Sequence, residues 1–340
     1  MVIKVKSGSE SSILSVGAYR PARLVPNSEI VDAIDSSDEW IVQRTGIESR
    51  RFAGPDESVV DMAIGAAEEA LSRAKLNIKD IDSVIVATIT YPHQAPSAAT
   101  AVIQRMGNPT AAAFDISAAC AGFCYGVAMA HDLVRAGSAK KVLVIGVEKI
   151  SDFTDPTDRA TAFIFADGAG AVVIGESQEP GIGPVEWGSD SENRDAILMN
   201  PSWIDVRDTQ TQLTKADIKW PNITQEGQKV FRWAVFSMSK AALKALDAAG
   251  LTVNEIDAFI PHQANVRIIE TMAKEMKLPE SVVIADDIRT NGNTSAASIP
   301  LAMDALLAKH PELHGKLALL IGYGAGLVFA GQVVKLPPKP

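Results

Sequence analysis

Long apolar runs are missing from this chain of 340 residues. The longest, at 142–147 and 317–321, fall far short of the roughly 20 residues that a membrane-spanning helix needs. The opening stretch MVIKVKSGSESS mixes polar and charged residues and lacks the apolar core of a secretory signal. Basic charge is scarce too: 32 Lys and Arg stand against 41 Asp and Glu, a formal net charge of −9. That argues against a general role on nucleic acid or a membrane surface, where a basic excess is expected. It leaves room for a small basic patch facing an acidic partner.

Cysteine is nearly absent. The two residues, Cys120 and Cys124, lie four apart in AACAGFCYGVAMA, which reads as helix. Thiols one turn apart on a buried helix lack disulfide geometry. Both are predicted free, which points to a reducing, cytoplasmic setting. No Cys/His spacing suggests a metal site, and no GxGxxG stands in the chain, so no metal or cofactor is predicted. The stretch Asp167-Gly168-Ala169-Gly170 reads as a tight turn in the core rather than a phosphate loop.

What is present is an ordinary globular composition, 47% apolar and 21% charged, on a chain long enough for a well-buried core. It also contains a repeat. AEEALSRAKLNIKDIDSVI at 67–85 matches ALKALDAAGLTVNEIDAFI at 242–260, an ungapped offset of 175 residues. KKVLVIGV at 140–147 matches KLALLIGY at 316–323, an offset of 176. Between these blocks, SAACAGFCYGVAMA at 117–130 and NTSAASIPLAMDAL at 293–306 are both small-residue turns feeding apolar helices. The pattern predicts an α/β fold of two pseudo-symmetric β/α halves, with layered, mostly parallel sheets covered by helices. The expected divisions are 1–185, an irregular insertion at 186–222, and 223–340.

Ligands in open α/β folds gather where strands end and helices begin. Three candidates sit at such points. Cys120 follows the strand-like AAAFDIS, where a helix N-terminus favours thiolate by about 0.3–1 kcal/mol. His262 follows the strand DAFIP, the only one of five histidines directly at the end of a buried strand. Asn293 lies in NGNTSAAS after the strand-like SVVIADDI. Taken singly, each has an ordinary alternative: a small core residue, a hydrogen-bonded core histidine, a helix cap.

At these residues the chain resembles β-ketoacyl-[acyl-carrier-protein] synthase III, a condensing enzyme of thiolase-like fold. The resemblance runs from Ile13 to about Val334 through five motifs in order: SSDEWIVQRTGI (36–47), AACAGF (118–123), DPTDRATAFIFADGAGAVV (155–173), HQANVRI (262–268) and NGNTSAAS (291–298). It implies that Cys120 carries the acyl group and that His262 and Asn293 activate the extender. Trp40, Arg44 and Arg159 would hold the adenine end of coenzyme A. Gln228, Phe231, Ala264 and Asn265 would line the pantetheine channel, with Arg267 at the phosphates or the carrier protein. The backbone amides of Cys120 and Ala325 would form the oxyanion hole; family members often have Gly where this chain has Ala325. Arg232, Arg267 and Lys274 would form a cationic face for an acidic carrier protein.

The implied reaction is decarboxylative Claisen condensation of a short-chain acyl-CoA primer with malonyl-[acyl-carrier-protein], by a cytoplasmic homodimer. Members selective for acetyl groups often have a bulky aromatic residue where this chain has Ala95. A roomier acyl pocket, open to short branched primers, is therefore expected. Priming of a polyketide pathway is the nearest alternative. A Cys-His-Asn hydrolase and a non-catalytic scaffold are more distant ones.

Overall fold

Strands with aliphatic side chains on both faces must be covered on both faces, and this requirement sets the layering. The computed structural model describes residues 8–209 and 219–340. Strands β1 (Glu10–Tyr19), β2 (Ser83–Ala87), β3 (Ala112–Ile116), β4 (Lys141–Lys149) and β5 (Asp167–Ser177) form one sheet, ordered β1-β5-β4-β2-β3. Strands β6 (Glu186–Ser189), β7 (Ala258–Pro261), β8 (Val283–Ile284), β9 (Leu317–Gly324) and β10 (Val328–Lys335) form the second, ordered β6-β10-β9-β7-β8. The two orders are the same, strand for strand.

Directions match as well. In the first sheet the β4–β2 and β2–β3 ladders are parallel, and β1–β5 and β5–β4 are antiparallel. In the second, β9–β7 and β7–β8 are parallel, and β9–β10 and β10–β6 are antiparallel. The expectation of mostly parallel sheets is corrected to evenly mixed ones. Strand β10 follows β9 after only the turn Ala325–Leu327, and so short a connection can only return the chain antiparallel.

Helices α1 (Val59–Ala74), α2 (Ala98–Met106), α3 (Gly122–Arg135), α4 (Gly227–Ala248), α5 (Val266–Glu275) and α6 (Ser298–Lys309) complete the layers. Alternation along the strands sorts the side chains. On β4, Val142 and Val144 face α3 and α6 between the sheets, while Leu143, Ile145 and Val147 face α1 and α2 outside. On β9, Ala318 and Leu320 face inward, while Leu319, Ile321 and Tyr323 face α4 and α5.

Two glycines let the halves close on each other. A Cβ on Gly146 of β4 would lie 2.2 Å from the Ala296 carbonyl oxygen, and one on Gly322 of β9 would lie 3.1 Å from the Ala121 Cα. Each strand therefore seats the turn that starts the other half's central helix.

The segment 186–222 was expected to be irregular. It instead supplies the edge strand β6 to the second sheet. It also supplies the helix Trp203–Thr209 and the strand Ile197–Asn200, which pairs with Asn222–Gln225 at the start of the next part. Residues 210–218 of that segment lie outside the described residues.

Candidate active site

The turns before α3 and α6 are equivalent in conformation as well as in place. Ala119 (φ 44°) and Ser295 (φ 50°) both take the left-handed backbone, each one residue into a single 3-10 turn. This unusual geometry re-aims the next residue. In the first half that residue is Cys120. Asn293 was expected to follow a strand and open a helix; instead a short helix, Ile288–Asn291, precedes it and a 3-10 turn separates it from α6.

Cys120, His262 and Asn293 line one cavity of about 540 Å³. Asn293 is clamped by backbone: its N–H donates to the Ile164 carbonyl and its carbonyl accepts from Ala166, both at 2.9 Å. Its Oδ1 accepts from the Ser295 amide at 2.9 Å, so its Nδ2–H₂ donors are left for the cavity. His262 follows β7, with its amide on the Ile321 carbonyl at 2.8 Å. Its Nδ1 lies 2.7 Å from the Ser298 hydroxyl. The Gln263 amide donates to that hydroxyl at 3.3 Å, which leaves the hydroxyl proton for Nδ1. Nε2 then carries hydrogen. The ring of Tyr323 meets the imidazole edge-on at 5.1 Å.

Burial controls protonation here. It pushes the Cys120 thiol up to about 12, opposed by contacts with the Ser295 hydroxyl and the Cys120 and Ala325 amides. Burial thus favours the thiol and works against the thiolate-favouring helix end. Loss of solvent outweighs the helix-end field, which is small and falls off within a turn. Burial lowers His262 to about 3, so it is neutral. Gly324 matters sterically: a Cβ there would lie 2.7 Å from the Cys120 Cβ.

The mouth of the cavity is aromatic and cationic. Trp40 and Arg44 are four apart on the helix Asp38–Thr45 and so share a face. The Arg44 guanidinium stands 5.3 Å and that of Arg159 5.4 Å from the Trp40 ring centre, and Phe163 meets the ring edge-on at 5.3 Å. Arg267 lies 5.7 Å from the Phe231 ring. Gln228, Ala264, Asn265 and Arg232 also line the cavity. Lys274 is exposed near the far end of α5 and is not on the wall. Ala95 is exposed on the 88–97 loop and is not among the residues that line this cavity.

Several wall and support residues escaped sequence reasoning: Phe163, Phe165, Tyr323, Ser295, Ser298 and Glu148. Phe163 and Phe165 stood inside the quoted 155–173 motif, and Ser295 and Ser298 inside NTSAAS. Nothing in the sequence singled out Glu148. Among the described residues, no group of three or more His, Cys, Asp or Glu side chains could hold a metal ion. No helix among them is long and apolar enough to cross a membrane.

Fold and site together define a thiolase-fold condensing enzyme that transfers acyl groups. The profile of 3-oxoacyl-[acyl-carrier-protein] synthase III matches residues 114–191, and that of its C-terminal part matches residues 246–336. The chain is 55% identical to β-ketoacyl-[acyl-carrier-protein] synthase III 1 of Streptomyces coelicolor, over 98% of both chains. Among solved structures it resembles the priming β-ketosynthase of a polyketide biosynthetic pathway, with a TM-score of 0.95 and 43% identity over 100% of both chains. It also resembles the synthase III of Aquifex aeolicus, with a TM-score of 0.86 and 35% identity over 96% of this chain and 99% of that one. The chain belongs to the β-ketoacyl-[acyl-carrier-protein] synthase III family.

A neutral His262 has two measurable consequences. Its ring nitrogens should keep the shifts of an Nε2–H imidazole in NMR from about pH 5 to about pH 8; titration inside that window would contradict the assignment. Because the folded value is depressed to about 3 from the usual 6.5, the unfolded chain binds the proton first. His262 thus contributes stability that is present above about 6.5 and lost as pH falls toward 3. A His262→Gln variant should accordingly lose less stability on acidification than the parent in urea unfolding.

Proposed function

We propose that this chain loads a short acyl group from acyl-CoA onto Cys120 and condenses it with malonyl-[acyl-carrier-protein], initiating fatty-acid synthesis. One observation carries the reading: a thiol from the first half and two hydrogen-bond donors from the second share one cavity whose mouth bears an aromatic ring beside two guanidiniums. In this reading residues 1–185 bring the nucleophile and 223–340 bring its partners. The site calls for no resident cofactor, because acyl-CoA is a substrate. The setting is cytoplasmic.

The Cys120 sulfur attacks the primer thioester and expels coenzyme A, which splits one hard step into two easier ones. The Cys120 and Ala325 amides hold the tetrahedral oxyanion; one such donor is worth ~2.7–4 kcal/mol. Malonyl thioester then loses carbon dioxide. The enolate oxygen takes hydrogen bonds from Nε2–H of His262 and Nδ2–H of Asn293. Its carbon attacks acyl-Cys120 and releases the β-ketoacyl thioester. Trp40, Arg44 and Arg159 hold the adenine end of coenzyme A, and Gln228, Phe231, Ala264 and Asn265 line its pantetheine arm. Arg232 and Arg267 at the mouth, with Lys274 beyond them, attract the acidic carrier protein.

Priming of a polyketide pathway is a second reading, favoured by the likeness to a priming ketosynthase. The chemistry is shared, and the carrier protein that supports turnover separates the two. A homodimer is also proposed. Strand β3 is a sheet edge, and its Phe114 and Ile116 are only half-buried, so pairing with a second copy would cover them.

With acyl-CoA and malonyl carrier protein, carbon dioxide and a β-ketoacyl product are expected, and Cys120→Ala should abolish acyl uptake seen by mass spectrometry. Free acid alone would mean a hydrolase, and inertness a scaffold. Arg267→Glu should raise the KM for carrier protein about tenfold or more, given that each charged contact is worth ~1.5 kcal/mol or above; an unchanged KM would move the docking face elsewhere. Sedimentation should report twice the chain mass, and a monomer would reject the dimer.

A further inference from the structure

Loading a thiol, rather than a thiolate, requires something to take its proton. His262 in its Nε2–H form is poorly placed for this. Nδ1 is engaged by Ser298, and Nε2 already carries hydrogen. A different buried group, Glu148, is linked to the turn that faces Cys120. The turn Ser295–Ala297 packs against the turn Ala119–Ala121, which sets the Ser295 hydroxyl beside the Cys120 thiol, and that hydroxyl donates to Glu148 Oε1 at 3.2 Å.

Glu148 is completely buried near the end of β4. Its two oxygens are served unequally. Oε2 accepts from the Thr90 hydroxyl at 2.7 Å, the Thr88 hydroxyl at 3.3 Å and the Ile89 amide at 3.1 Å. Oε1 accepts from Ser295 and has only a second, 3.3 Å contact with the Ile89 amide. The carboxylate is thus held by hydrogen bonds with one oxygen open to protonation. The neighbouring Lys149 ammonium turns away to the Gly54 carbonyl at 2.9 Å. Burial raises the Glu148 carboxyl to about 7, so either protonation state is accessible near neutrality.

We infer that Glu148, acting through the Ser295 hydroxyl, takes the proton of Cys120 when the sulfur is acylated and returns it when condensation frees the sulfur. The inference rests on the loading and condensation reading above. In loading, the sulfur–hydrogen bond breaks as the sulfur–acyl bond forms. The proton passes to Ser295 Oγ while the hydroxyl proton passes to Oε1, and coenzyme A leaves as thiolate to be protonated by solvent. In condensation, the malonyl carboxylate leaves as carbon dioxide and its electron pair forms the new carbon–carbon bond. The acyl–sulfur bond breaks, and the two hops run backward to restore thiol and carboxylate. Loading sends out one negative charge as the coenzyme A thiolate and condensation takes one in as the malonyl carboxylate, so the cycle closes with no other reagent.

Glu148→Gln keeps the shape and cannot accept the proton. Acyl-CoA loading, read as coenzyme A released in a single turnover, should slow on the order of 10²-fold, with KM for acyl-CoA unchanged. Iodoacetamide alkylation of Cys120 at neutral pH should slow about tenfold or more, in keeping with loss of a general base. A merely electrostatic role predicts the opposite sign, because the Glu148 charge itself raises the thiol. Ser295→Ala cuts the relay but leaves the charge, and Ala119 occupies the equivalent left-handed position, so alanine fits there. It should show the same slowing and carries the test if Glu148→Gln does not fold. The double variant should be no slower than the slower single one. Alkylation equal to or faster than the parent's in either folded variant, or additive losses in the double, would overturn the relay. Parent enzyme that alkylates but takes up no acyl group would instead refute the proposed function.

Discussion

Backbone meets backbone where the two halves join, and the site depends on that approach. Gly146 of β4 faces the Ala296 carbonyl, and Gly322 of β9 faces Ala121. The two glycines are equivalent in the repeat, and so are the two turns they receive. Any side chain at Gly146 would sit 2.2 Å from a carbonyl oxygen, so the sheets could not come this close. Interiors are packed tightly enough that such a shift cannot be absorbed locally. The left-handed residues Ala119 and Ser295 sit in these turns, and through them the approach sets where Cys120, Asn293 and Ser295 stand relative to one another.

The site built at this junction carries no ion pair on its reacting groups. Burial moves Cys120 up and His262 down, and both are neutral at rest. Glu148 is raised toward neutrality by the same cause. Where His262 and Asn293 are buried, fixed dipoles act more strongly than they would in water. In the proposed reaction charge appears only as bonds change, where amides and side-chain donors would meet it. The mouth is different. Its guanidiniums remain partly in solvent beside Trp40 and Phe231, suited to anionic ligands that arrive from water.

Much of this was legible beforehand. The repeat at an offset of 175–176 residues predicted two like halves, and the sheet orders are the same strand for strand. Cys120, His262 and Asn293 do share one cavity, as do the eight residues expected to touch coenzyme A. Strand direction was misread because aliphatic runs buried on both faces look alike whether the neighbour is parallel or antiparallel. The edge strand β6 was hidden in a segment without periodicity, since its four residues, EWGS, are half-exposed and carry little apolar pattern.

The long motifs pointed to the class, the repeat to two halves, and both singled out Cys120 as the candidate nucleophile, because motif and period survive in one dimension. Protonation and support were decided only by the tertiary structure. Glu148 and Ser295 are separated by 147 residues, and their bond exists because β4 of one half abuts the turn of the other. The free energy of a charge depends on who surrounds it in space, and neighbours so distant in sequence leave no local pattern to read.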